Sequence, residues 1–165
     1  MTYYVGITLV LFTALLEASV LPLFRVDGVQ PNLTLVVLIA WLIIRGAEEA
    51  YILIPIGGIF VGLVDGALMG TALLAMAPIA LLQEVRGAQL NARGVVMAIL
   101  FTIVMSLVYN YTYLLVFTLQ GEAGPWSAAT TQVVLPTTLI NLAVLLPIYA
   151  AFAFINPQPR RSLYA

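Results

Sequence analysis

Tyr51-Ile-Leu-Ile-Pro-Ile-Gly-Gly-Ile-Phe-Val-Gly-Leu-Val-Asp65-Gly-Ala-Leu-Met-Gly70-Thr-Ala-Leu-Leu-Ala-Met-Ala-Pro-Ile-Ala-Leu-Leu82 is 32 residues of almost unbroken apolar sequence, and the way it divides decides the fold. As one helix it would run roughly 48 Å at about 1.5 Å per residue. That is well beyond the ~30 Å hydrocarbon core of a bilayer. Asp65 lies near its middle, with Gly66 beside it and Gly70 beyond. The stretch therefore reads as two short helices, over 51–65 and 70–83. Both fall below ordinary spanning length, which implies bilayer thinning, tilt or burial inside a bundle.

The flanking sequence repeats the pattern of apolar run and polar turn. A run from Tyr3 to Phe24 is broken only by Glu17. The bend Arg25 to Gln30 follows, and Pro31 suits the first turn of a second helix reaching Ile44. Arg45-Gly46-Ala47-Glu48-Glu49 reads as a short polar turn. Beyond residue 83 come a polar loop from Glu84 to Arg93, a fifth helix from Gly94 to Leu119, a loop from Gln120 to Ser127, and a sixth helix from Thr130 to Ile155. Backbone groups in hydrocarbon must bond within their own segment, so runs of this kind read as helices. The expectation is an all-α integral membrane protein, a six-helix bundle with short loops over 1–155, and a polar cytoplasmic tail over 156–165. The first basic residue, Arg25, follows the first apolar run. A signal peptide carries its positive charge ahead of that run, so the first segment reads as a retained spanning helix.

Composition agrees. Of 165 residues, 63% are hydrophobic and 8% charged, and the mean hydropathy is +1.11. A soluble domain is about a quarter charged, so most of this chain has lipid as its solvent. The six basic residues are all Arg, against seven acids, for a net charge of -1. That balance argues against nucleic acid as a partner. There is no Cys, no His and no Lys. Ser-His and Cys-His dyads, imidazole metal sites, disulfides and Schiff-base chemistry are thereby excluded, and neither a cofactor nor a metal is expected. With six spans and both termini cytoplasmic, Arg45, Arg86, Arg93, Arg160 and Arg161 lie inside and only Arg25 outside. Five spans with an outside N-terminus give the same five-to-one ratio, so charge fixes the C-terminus and helix length decides for six.

Few residues stand out as functional candidates. Gly58, Gly62, Gly66 and Gly70 recur every fourth residue. On a helix they form a groove along which another helix can approach closely. The favoured reading is packing within this bundle; contact with a partner helix, or a turn role for Gly66 and Gly70, stay open. Glu17 and Asp65 are carboxyl groups at membrane depth, where such groups face a bundle interior or a wet cavity. Asp65 near a helix end also reads as a cap, and Glu17, about two turns before the end of its helix, as a hydrogen-bonded structural residue. Tyr109-Asn110-Tyr111-Thr112-Tyr113 places Tyr109 and Tyr113 on one helix face with Asn110 beside them. The pair reads first as an interfacial aromatic belt and second as the lining of a small polar pocket. Trp126 reads as an interface anchor.

Gln30-Pro31-Asn32-Leu33 opening a helix, Arg45-Gly46 closing it, and then Gly57-Gly58-Ile-Phe-Val-Gly62-Leu-Val-Asp65 and Gly70-Thr-Ala-Leu-Leu-Ala together resemble the core signature of the MreD family of rod-shape-determining membrane proteins. The order of segments is similar over nearly the whole chain, and individual letters over about 30–80. Family members usually carry more residues between the core Asp and the next Gly, so this chain departs from them at 65–70. The resemblance implies a non-enzymatic bacterial inner-membrane subunit of the elongation machinery. It implies association with MreC, and through MreC with the glycosyltransferase RodA, its class B penicillin-binding protein and, indirectly, MreB filaments. It also implies a fold similar to the substrate-binding S-components of energy-coupling-factor vitamin transporters. Such an S-component is the alternative reading, with Glu17, Asp65, Asn110, Asn141 and tyrosines as the polar inventory of a ligand pocket.

Overall fold

The computed structural model describes residues 2–25, 28–66, 68, 70–81, 92–122 and 124–155. Among the described residues all regular structure is helical. Arg86, Arg160 and Arg161, on which the orientation argument partly rests, lie outside them, as do the tail and most of the 84–93 loop.

Helix α1 spans Thr2–Ser19, and a turn of 3-10 helix follows over Leu21–Phe24. The sequence led us to expect one helix to Phe24. Pro22 explains the early end, because it has no N–H to donate and its ring clashes with the carbonyl four residues back. Glu17 thereby sits in the last turn of α1 rather than two turns before the end. Helix α2 spans Leu33–Arg45 and α3 spans Ala47–Val64. The expected five-residue polar turn between them is a single residue, Gly46. It has φ 99° and donates its N–H to the Leu42 carbonyl. Only glycine takes that conformation without steric cost. Glu48 and Glu49 belong to the first turn of α3, where acidic side chains meet the positive end of the helix dipole.

The long apolar stretch does break, between Val64 and Thr71. Short helix α4, Thr71–Met76, runs on as 3-10 helix over Ala77–Leu81. Gly70 enters α4 with φ 98°. Helix α5 spans Ala92–Gln120. Helix α6, Trp126–Ala129, continues through a π-helical turn, Thr130–Val134, into α7, Leu135–Ile155. This last helix starts at Trp126, four residues before the expected Thr130. Residues Gly94–Gln120 and Trp126–Phe152 are each long and apolar enough to cross a membrane, while Tyr3–Ser19, Leu33–Arg45 and Thr71–Leu81 are shorter apolar helices.

The arrangement centres on α2, which packs against α1, α3, α5 and α7. Every residue from Thr34 to Ile44 is buried, as expected for a helix that is apolar on all sides. At about 1.5 Å per residue, 13 residues make a rod of roughly 20 Å; its N-terminal end lies inside protein, with Asn32 and Thr34 buried, while Arg45 at the other end is exposed. Around it the bundle turns apolar side chains outward, among them Phe12, Leu100, Leu115, Leu139 and Leu146. Thr13, Glu17, Thr71, Thr102, Ser106, Thr138 and Asn141 are buried. A soluble protein buries the first kind and exposes the second.

Candidate functional site

The first turn of any α-helix leaves backbone N–H groups without partners. At the head of α2 these groups are buried, so the bundle must supply acceptors. The N-cap residue Asn32 makes no capping bond with its own side chain. Two distant side chains do the work. The Asn32 N–H donates to Oδ1 of Asn141 on α7 at 2.7 Å, and the Thr34 N–H donates to Oε2 of Glu17 on α1 at 2.9 Å. Asn141 Nδ2 in turn donates to Oγ of Ser106 on α5 at 2.9 Å. One buried network thus joins α1, α2, α5 and α7.

Beside this network lies a cavity of about 340 Å³, within the ~300–1,000 Å³ range of small-molecule sites. Its polar lining includes Glu17, Asn32, Asp65, Tyr109, Asn110 and Tyr113, and Leu114, Phe117, Val133 and Val134 contribute an apolar wall. Hydrogen bonds run in one direction across it. The Tyr109 hydroxyl donates to the Tyr113 hydroxyl at 3.2 Å, and that hydroxyl donates to Oδ2 of Asp65 at 3.2 Å. The two rings lie 4.8 Å apart, tilted by 32°. Asn110 Nδ2 folds back onto the Ser106 carbonyl at 2.7 Å.

The π-helical turn borders the same cavity, since Val133 and Val134 line it. Its cause is local. Pro136 has no N–H, and its ring would press on the carbonyl four residues earlier. The backbone widens ahead of it, and the Leu135 N–H reaches back five residues to Thr130. The Thr130 and Thr131 hydroxyls bond to carbonyls of the preceding turn, which also loosens a regular ladder. Single π-turns of this kind occur frequently at functional sites.

The sequence candidates therefore separate. Glu17, Asp65 and Asn110 come together at one cavity, with Tyr109 and Tyr113. Tyr109 is not a belt residue: it is 5% exposed and packs inward. The glycines form two pairs. A Cβ on Gly58 would stand 2.7 Å from the Leu73 Cα, and one on Gly62 would stand 3.7 Å from the Ala72 Cβ. Both therefore face α4 of this same chain. Gly66 and Gly70 have positive φ and, among the described residues, nothing within 4 Å of an added Cβ, so they shape the turn. Trp126 opens the last helix, stacks on Tyr111 at 6.3 Å and donates from Nε1 to Thr118 Oγ1 at 3.1 Å. Asn32, Thr34 and Ser106 were not singled out as site residues. Their roles depend on partners far away in sequence, and Asn32 enters the sequence reading only within the Gln30-Pro31-Asn32-Leu33 helix opening. No protein-family model, no curated protein and no solved structure matches the chain.

Proposed function

We propose that the chain is a non-catalytic, multi-pass scaffold of the bacterial inner membrane, of the MreD family. In this reading it binds MreC and links it to RodA and its class B penicillin-binding protein, and so to MreB and cell shape. Six spans with both termini cytoplasmic complete the reading. The observation that carries it is the α2–α3–α4 unit. The segments resembling the family signature form consecutive parts of one compact element: α2, the one-residue turn at Gly46, α3 with its glycine face, the Asp65–Gly70 turn and α4. Because α4 occupies the face of Gly58 and Gly62, lateral contact with a partner's spanning helix falls to the outward apolar faces of α1, α5 and α7. Helix association in lipid relies on such van der Waals surfaces.

Pull-down of the tagged chain from gently solubilised bacterial membranes tests this. Recovery of MreC with RodA or the transpeptidase is expected. Their absence, with the bait at its normal level, would overturn the scaffold reading. The cavity favours a second reading, the ligand-binding S-component of an energy-coupling-factor transporter. Co-purification of a pair of ATPases with a coupling subunit would select it.

A further inference from the structure

We propose that the cavity at the head of α2 binds an ammonium group carried close to an oxygen acceptor, the chemistry of an aminoethanol headgroup. This inference needs the chain to lie in a membrane but is independent of which partners it holds. Two carboxyl side chains, Glu17 and Asp65, line the cavity, and among the described residues no Arg or Lys lines it. Arg25 donates from Nε to Oε1 of Gln30, a lining residue, at 3.1 Å. The carboxyl oxygens of Glu17 and Asp65 are acceptors that an ammonium group can meet.

The aromatic lining points the same way. Tyr109, Tyr113 and Phe117 border the space, and a cation within about 6 Å of such a ring is attracted to its face. The Tyr109 hydroxyl donates to that of Tyr113, which donates to Asp65 and holds that carboxyl group at the cavity wall.

Asn32 adds the second half of the ligand. Asn32 is 8% exposed and lines the cavity, and its Nδ2 has no hydrogen-bond partner among the described residues. A buried amide donor left unpaired is costly, so the natural occupant brings an acceptor oxygen to it. The wall of Leu114, Val133 and Val134 accepts an apolar body. Ammonium, acceptor oxygen and apolar body occur together in phosphatidylethanolamine; ammonium and oxygen alone occur in a free amino alcohol.

The test reconstitutes the full chain in nanodiscs and counts retained lipid by native mass spectrometry. Phosphatidylethanolamine is compared with phosphatidylglycerol and with N-acetylated phosphatidylethanolamine, which lacks the charge. A parallel arm measures the thermal midpoint of the detergent-purified chain with and without ethanolamine. Retention of phosphatidylethanolamine about tenfold above both controls is expected, with the preference reduced to near unity in Asp65→Asn. Should that variant fold poorly, Tyr113→Leu, which removes one ring face, must lower the preference several-fold. A raised midpoint with ethanolamine, lost in Asp65→Asn, in the absence of lipid selectivity assigns the site to the free amine. Equal retention of the N-acetylated lipid with no effect of ethanolamine, or a preference that survives Asp65→Asn, overturns the proposal.

Discussion

Replacement of Asn141 by leucine probes the buried network most directly. Asn141 is fully buried, accepts the Asn32 N–H and donates to Ser106 Oγ. Leucine keeps the branching at Cγ with a larger apolar side chain and removes both bonds. An interhelical side-chain bond in a membrane bundle contributes about 0.6 kcal/mol on average and up to ~1.7. Ser106 can turn its hydroxyl to a carbonyl of its own helix, so that loss belongs at the low end. The Asn32 N–H has no such alternative at a buried helix head, and an orphaned buried donor costs about 1–3 kcal/mol. Leucine's extra apolar surface offsets part of this, leaving a net loss of about 2 kcal/mol. At roughly 2–4 °C per kcal/mol for a chain of this size, the midpoint should fall by about 4–8 °C. Circular dichroism of the detergent-purified protein through a thermal ramp reads it. Leu139→Ala, on an outward face, is the control. A midpoint for Asn141→Leu within about 1 °C of the parent would show that α7 does not hold the head of α2.

Glu17 should behave as an acceptor first: Glu17→Ala loses about 1–3 kcal/mol through the orphaned Thr34 N–H, whereas Glu17→Gln keeps an amide oxygen and stays within about 1 kcal/mol of the parent. Equal losses in thermal ramps would refute that division. Gly58→Ala forces a Cβ to 2.7 Å from the Leu73 Cα while Gly62→Ala meets only ordinary contact at 3.7 Å, so the first should destabilise by about 1–3 kcal/mol and the second by less than about 0.5 kcal/mol. If the two substitutions give the same melting midpoint and yield, the close approach of α3 to α4 is wrong. Gly70→Ala, at φ 98°, should cost about 1 kcal/mol or more through backbone strain alone, and detergent melts showing no loss would mean the turn adopts another conformation.

Hydrophobic runs located the helices in the sequence because lipid leaves a continuous apolar signal. The length of the Tyr51–Leu82 run also located the break around Asp65. The boundaries missed are those set by single residues. Pro22 stops α1 early, Gly46 alone turns α2 into α3, and the last helix starts at Trp126, directly after Pro125. Glu17, Asp65, Asn110 and the tyrosines were visible because polar groups are rare in such a chain, yet their convergence was not. The bonds that join them cross 17 residues for Glu17 to Thr34 and 48 for Tyr113 to Asp65. Periodicity carries no record of pairings at those distances. Asn32 was legible only as a helix-start residue, because its free amide has meaning only beside the cavity.

The cap on α2 also sets a timetable for biogenesis. Glu17 leaves the ribosome before α2, but Asn141 follows Asn32 by 109 residues. At about 5–20 residues per second, the head of α2 waits between ~5 and ~22 s for its second acceptor. During that interval the most apolar rod of the protein has an incomplete end and lacks the α7 neighbour that later covers it. Membrane chaperones and proteases that survey unfinished helices have that window in which to act, and a chain truncated before α7 would never leave it.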